Sequence, residues 1–371
     1  MKTSAAPGAN RHRDDREWHE LARRIRDGSF VREGIFVAFP PCFPGVTDPI
    51  PHDEGRIVAL AADGEGQIYG ATAGRAHHVF FASMHGTGGI VLDLRWPDPS
   101  SACPAIACGT AEVLFAANGS QGGRLFRRRL QPRPGDLLHE WSFAVHPFHA
   151  VEEAVWDGPV RDLAVAADRS CAIGATATEI FRYDFAEGRI ADRKAHRCAT
   201  GLCSAFGSIW GLGEDGRPWQ CDPSRRELEI ARKPRAEGTE KPDEGRWAAD
   251  VTGRFAYWMD GDGRLFSLSP DGALRERARL AIRPITAAAV APDGRLFAFA
   301  GEGIAHFHVF EPATGSLRDL GAAVSVLERR RYGFAFAAAV PGHGGELYFG
   351  EDDTLGHLWL YFPTLPVPST E

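Results

Sequence analysis

The feature that most constrains this chain is a repeat. Seven segments with a shared aromatic core recur along it: HHVFFAS (77–83), RLFRRRL (124–130), EIFRYDF (179–185), RPWQCDP (217–223), RLFSLSP (264–270), HFHVFEP (306–312) and HLWLYFP (357–363). Their first residues are spaced by 47, 55, 38, 47, 42 and 51 positions. A period of about 40–50 residues is that of a four-stranded propeller blade. A second strand-like run precedes each segment: QIYGATA, EVLFAAN, CAIGATA, SIWGLGE, FAYWMDG, RLFAFAG and ELYFGED.

A third run per unit is dominated by small residues. It reads IVALAA (57–62), AIACGT (105–110), LAVAAD (163–168), GLCSAF (201–206), WAADVT (247–252), ITAAAV (285–290) and FAFAAAV (334–340). Alanine is a poor strand former, so its concentration here needs a steric cause. Seven inner strands converging on one axis supply it, because large side chains would collide there. The expected fold is therefore all-β: a seven-bladed β-propeller of four-stranded blades.

After the last aromatic segment the chain has no room for a fourth strand. A spare strand lies upstream of the first blade, GIFVAF (34–39), stopped by Pro40–Pro41. It is expected to complete the last blade and close the ring, which would cover an open sheet edge. Ahead of it, Asp14–Asp27 reads as an amphipathic helix with Trp18, Leu21 and Ile25 on one face. The expected organisation is a helical extension over 1–30 and a propeller over 31–371.

Composition narrows the function classes. The net charge is −7 and the only compact basic runs are Arg127–Arg129 and Arg329–Arg331, too little for a phosphate-binding face, so nucleic acid is not an expected partner. No stretch approaches the roughly 20 apolar residues that span a bilayer, so neither is a membrane. The charged N-terminus lacks a signal-peptide core. The seven cysteines show no C-x-x-C pairing and read as reduced, buried side chains of a cytoplasmic protein.

The blades resemble a group of bacterial seven-bladed propeller proteins of unassigned function. Their repeat is close to D-G-x-[IL]-Y-G-x-[TS]…H-L-F-x-Y-D-P-x-T-G-x-[LV]-x-D-L-G. The matching segments here are Gly66–Thr72 with Ala76–Phe81, Ile180–Asp192, Gly294–Gly321 and Glu346–Pro363. The resemblance runs from about Gly34 to Pro363 and implies the fold. A looser, fold-level similarity to propeller polysaccharide lyases implies a cleft at the channel mouth carrying His, Tyr and Arg.

Candidate chemistry is sought on the face shared by the loops between strands two and three and the loops entering each inner strand. The first group offers Arg75, His77, Glu214, Asp215, Asp260, Asp262, Glu302 and Glu351–Asp353. The second is read to include His52, His146, His149, Glu152, Glu153, His196, Arg197, Arg283, Arg329–Arg331 and Tyr332. His146, His149, His196 and Tyr332, nearest the axis on this reading, are the catalytic candidates; a His or Tyr moves a proton while Arg neutralises a substrate acid. Arg75, His77, Arg197, Arg283, His306, Arg331 and His357 are the candidate ligand-binding residues.

His77, His306 and His357 open the third strands of three consecutive blades. Third strands start about 10 Å farther from the axis than inner ones, so these histidines diverge too far for shared zinc bonds of about 2.0–2.1 Å. Each is expected instead to bind a neighbouring acidic loop such as Glu302 or Asp352, and no metal site is expected. Asp260-Gly-Asp262-Gly lacks the ligand series of a calcium loop and reads as a turn. No nucleophile elbow or phosphate-binding glycine loop is present, and no cofactor is expected. Two functions remain: a binding or scaffold propeller acting through its loop face or N-terminal helix, or a carbohydrate-active enzyme such as a lyase on an acidic oligosaccharide.

Overall fold

The computed structural model describes residues 34–39, 50–85, 88–131, 146–198, 201–234, 245–325, 332–354 and 356–364. The helix expected over Asp14–Asp27, and Arg331, lie outside the described residues. Seven antiparallel sheets of four strands each make the ring. In six of them the strands follow one another in sequence from the axis outwards, blade one running Arg56–Ala62, Gln67–Ala73, Val79–His85 and Gly88–Asp93. The expected seven-bladed all-β propeller is the observed fold.

Blade seven differs as the spare strand requires. Its order from the outside is Gly34–Phe39, Leu358–Pro363, Leu347–Glu351 and Phe336–Pro341. The closing strand pairs antiparallel along its whole length, from Gly34 opposite Pro363 to Phe39 opposite Leu358. Phe36 is buried against Phe307, at 4.8 Å between ring centroids, and Tyr361, at 4.6 Å. Ala38 N–H donates to Ser325 Oγ at 3.1 Å, and Phe36 bridges Ser325. One strand thereby ties blades six and seven together.

The inner strands show why alanine is used. Burial alternates along Arg56–Ala62 and Ile285–Val290, with one set of side chains packed between blades and the other facing the channel. A cavity of about 220 Å³ on the axis touches all seven inner strands or their entries, among them Val58, Ala105, Asp162, Leu202, Arg246, Ala287 and Ala337.

A second steric rule lies farther out. In blades one, three and four a strand-two glycine pairs with a strand-three aromatic: Gly70 with Phe80, Gly174 with Phe181, Gly211 with Trp219. Each ring lies over the glycine so closely that a Cβ there would collide with it. The glycine of the Y-G-x-T motif is a seat for the neighbouring ring.

Loss of the closing strand's anchor tests the seam. Phe36→Ala is expected to cost about 3–5 kcal/mol, the usual penalty for truncating a buried Phe. Removing residues 1–42 is expected to destabilise further than removing 1–30, because only the first takes the strand. Denaturant midpoints of the three proteins check both statements; equal midpoints for the two truncations would refute closure by this strand.

Candidate functional site

Because successive strands in a blade are antiparallel, connections between strands two and three share a face with those leading from strand four to the next inner strand. This loop face carries Arg75, His77, His196, Arg197, Arg283, Tyr332 and His357. It does not carry His146 or His149, and here the structure corrects the sequence reading. Strand four of blade two is His149–Trp156, with His149 paired to Arg127 on strand three. His149 therefore opens an outer strand and His146 lies in the three-to-four connection, both on the opposite face. Glu152 and Glu153 belong to the same outer strand, and Glu153 accepts the N–H of Ile190 in blade three at 2.9 Å. The true entry to blade three is Asp157–Arg161.

On that opposite face His146 and His149 line a cavity of about 290 Å³ with Glu112 and Arg127–Arg129. Arg128 is buried and donates through Nε to the carbonyl of His146 at 2.9 Å. Burial first, then Arg128 and Arg129, hold the His146 imidazole below its ordinary pKa. Glu112 is engaged by Tyr183 Oη at 2.6 Å and by Arg127 at 3.3 Å, which locks blade two to blade three.

The outer histidines are set differently from expectation. Strand three of blade one begins at Val79, that of blade four at Pro218 and that of blade seven at Leu358, so His77, Arg217 and His357 precede their strands. Among the described residues the His77 ring has one partner, the carbonyl of Thr72 at 3.3 Å. Its neighbour His78 makes the acid contacts: Nε2 to Glu54 at 2.9 Å and Nδ1 to Asp93 at 3.5 Å. His306 Nδ1 binds Asp319 at 2.8 Å, a strand-four residue of its own blade rather than a neighbouring loop. His357 faces the fully buried Glu351 of its own blade at 3.3 Å. Glu351 also accepts the N–H groups of Phe334 at 2.9 Å and His357 at 3.1 Å, and the Trp359 indole N–H at 3.2 Å.

Most loop-face cations among the described residues are likewise matched locally. Arg75 meets Glu54 at 2.9 Å, Arg56 meets Asp352 at 2.8 Å, and Arg283 meets Asp262 at 3.5 Å. Asp260 accepts the N–H groups of Asp262 and Arg264 and the Arg264 guanidinium, confirming a turn. On the channel wall, burial pushes the Asp162 carboxyl up to about 6 despite bonds from the N–H groups of Leu163 and Leu202. Among the described residues no group of three His, Cys, Asp or Glu is placed to hold a metal ion. Six cysteines are free and buried, and burial pushes the Cys198 and Cys221 thiols up to about 12.

Two places on the loop face depart from this local pairing. The first is apolar. Ile304 sits in the two-to-three loop of blade six, and Tyr332 and Phe334 in the entry to blade seven; the loops touch where Ala305 N–H donates to the Phe334 carbonyl at 2.7 Å. These three are 52%, 57% and 46% exposed. Sequence reasoning listed Tyr332 for its hydroxyl and missed Ile304 and Phe334, whose exposure no motif announces.

The second is a cavity of about 440 Å³ where blades three and four meet, lined by His196, Arg197, Glu214, Asp215, Arg217, Trp219 and Arg232 among others. The imidazole of His196 stands edge-on to the Trp219 indole at 5.0 Å. His196 Nε2 and Trp219 Nε1 are both shut from water with no hydrogen-bond partner among the described residues. Such orphaned groups typically cost about 1–3 kcal/mol each. His196 and Tyr332 thus share a face but lie three blades apart.

No protein-family model matches the sequence, and no curated protein matches it. Solved structures do match. The crystal structure of the WD40 beta propeller domain of Doa1 superposes with a TM-score of 0.57 at 11% identity, covering 88% of this chain and 96% of that chain. At that identity the likeness shows the fold alone, a fold that hosts many functions.

The His78 clamp gives a pH signature. Its hydrogen bond to Asp93, and then that to Glu54, outweigh burial and raise the His78 pKa above 6.5. Folding therefore strengthens proton binding, so the stabilisation is complete below about pH 6.5, the unfolded value. It is lost as pH rises through the higher folded value. The stability difference between the wild type and His78→Asn is expected to be larger at pH 6 than at pH 8 in urea titrations. A difference independent of pH would show that His78 acts through packing alone.

Proposed function

We propose that this propeller is a protein-binding scaffold whose docking point is the apolar patch of Ile304, Tyr332 and Phe334 on its loop face. The observation that carries the reading is the exposure of three large apolar side chains on two loops that are hydrogen-bonded to each other. Contiguous exposed apolar surface on a soluble protein marks interaction sites, and aromatic residues are enriched among those that dominate binding energy. The fold supports the same reading, since propellers present loop clusters on a rigid ring and commonly act as protein-binding platforms. The repeated Y-G-x-T and H-L-F-like motifs extend the proposal to kinship with the bacterial propeller group they resemble. The carbohydrate-active alternative is not carried further: the four candidate proton-transfer residues are divided between opposite faces and distant blades.

The matching partner is a protein segment that inserts an aromatic or branched aliphatic side chain between the two loops. Random peptides displayed against the full-length protein are expected to converge on such an anchor. In the double variant Ile304→Glu/Phe334→Glu their affinity is expected to fall about 30-fold or more, as loss of a hot spot of about 2 kcal/mol implies. Its thermal midpoint should stay close to that of the wild type, because both residues sit on exposed loops, about half open to water. Enriched peptides that bind wild type and variant equally would overturn this docking site.

A further inference from the structure

The cavity of about 290 Å³ on the face opposite the loops shares no residue with the apolar patch. Strand geometry assembles its wall. Arg127 and Arg129 stand two residues apart at the end of strand three, Gly122–Arg129, so their side chains leave one side of the sheet about 7 Å apart. Register sets Glu112 opposite Arg129 and His149 opposite Arg127. Leu114, the other partner of Arg127, packs in the core shared with blade three, so this side of the sheet faces that blade. Arg128 turns the other way, lies over the Phe148 ring and holds the connection through the carbonyl of His146.

Three properties of the wall describe an occupant. The first is charge. Arg127 and Arg129 share the cavity with one carboxylate, Glu112. That carboxylate is already engaged, by the Tyr183 hydroxyl on one oxygen at 2.6 Å and by Arg127 on the other at 3.3 Å. The second is unused donor capacity. Among the described residues the Arg129 guanidinium and the rings of His146 and His149 have no side-chain hydrogen bond or ion pair. All of them can be reached, since Arg129 and His149 are exposed and Arg127 and His146 half-buried. The third is the local field. Burial first, then Arg128 and Arg129, hold the His146 imidazole below its ordinary pKa, so the wall resists a further positive charge and welcomes an anion.

We infer that this cavity binds a phosphate monoester, with Arg127 and Arg129 holding the phosphoryl oxygens and His146 and His149 donating ring N–H groups to them. The monoester dianion brings three strong acceptor oxygens, and guanidinium forks suit such oxygens. Two guanidinium groups against one carboxylate leave one positive charge in excess. The second charge of the dianion is met by an imidazole that takes up a proton from solvent on binding. A monocarboxylate offers two oxygens and one charge, which leaves both imidazoles without a role. A site for one phosphate does not need the continuous basic face that a nucleic-acid backbone requires, so a chain of net charge −7 can carry it.

The experiment is titration of ¹⁵N-labelled full-length protein with glycerol 3-phosphate and with a short phosphoserine peptide. Glycerol, acetate and dimethyl phosphate are the comparison probes. The ring signals of His146 and His149 are identified by their disappearance in His146→Asn and His149→Asn. A phosphate monoester is expected to move both signals saturably and to raise the His146 titration midpoint, while glycerol leaves both unchanged. Acetate and dimethyl phosphate, each with a single charge, should bind at least tenfold more weakly. Binding of either monoester supports the site, and the tighter of the two names its source, a free metabolite or a phosphorylated protein. Arg129→Ala is expected to weaken binding at least tenfold, with Arg129→Lys recovering part of the loss; Arg129 is exposed, so neither variant should lower the thermal midpoint. Ring signals that neither monoester moves, acetate or dimethyl phosphate binding as tightly as the monoesters, or undiminished binding in Arg129→Ala would each overturn the assignment. The apolar docking patch lies on the opposite face, and none of these outcomes bears on it.

Discussion

Ring closure is the constraint on which the rest of the molecule depends. A propeller has one covalent gap, and any sheet edge left there faces either solvent or another chain. Here the gap is closed by a strand that precedes the first blade in sequence and completes the last. Gly34–Phe39 pairs residue by residue with Leu358–Pro363, and Phe36 enters a cluster of aromatic rings drawn from blades six and seven. The strand therefore supplies ladder hydrogen bonds to blade seven, a hydrogen bond to Ser325 beyond the outer strand of blade six, and apolar contact to both blades. With the ring shut, each blade is held on both sides, and the loops can vary without losing the frame beneath them.

The same frame explains which parts of the fold were legible in the sequence. Alanine-rich inner strands follow from convergence on the axis, and strand-two glycines follow from the rings that lie over them. Both are steric demands repeated once per blade, so they leave a periodic trace. Blade count, inner strands and the closing strand were all readable for that reason. Ties between blades are less regular. Tyr69 Oη accepts the N–H of Gln131, Tyr257 Oη donates to the carbonyl of Gly294, and Tyr183 Oη donates to Glu112. Each tyrosine reaches a different kind of partner, so no shared pattern marks them.

Errors in the site reading have the same physical origin. Outer strands pack on one side only and need few apolar residues, so His149–Trp156, with just Val151, Ala154 and Trp156 buried, looked like a loop. That strand also sits in the longest interval between aromatic segments, 55 residues, where sequence alone does not say which stretch is the connection. Placing it one connection late moved two histidines to the wrong face and read two mid-strand glutamates, Glu152 and Glu153, as loop residues. The exchange of His77 for His78 falls in the loop ahead of Val79, where no strand alternation marks which of two adjacent histidines meets Glu54 and Asp93.

Electrostatics then separates structural groups from recognition groups. The loop face is rich in ionisable residues, yet most are matched within one or two loops: Arg75 with Glu54, His78 with Glu54 and Asp93, His306 with Asp319, Arg56 with Asp352. The exposed pairs among these add little stability, and among the described residues they cancel charge locally around the rim. A face neutralised in this way discriminates by what remains unmatched. Among the described residues, exposed apolar side chains remain at blades six and seven, and the buried nitrogens His196 Nε2 and Trp219 Nε1, without hydrogen-bond partners, remain beside the cavity at blades three and four. Both are local, they differ in chemistry, and they stand on a closed ring that fixes their separation.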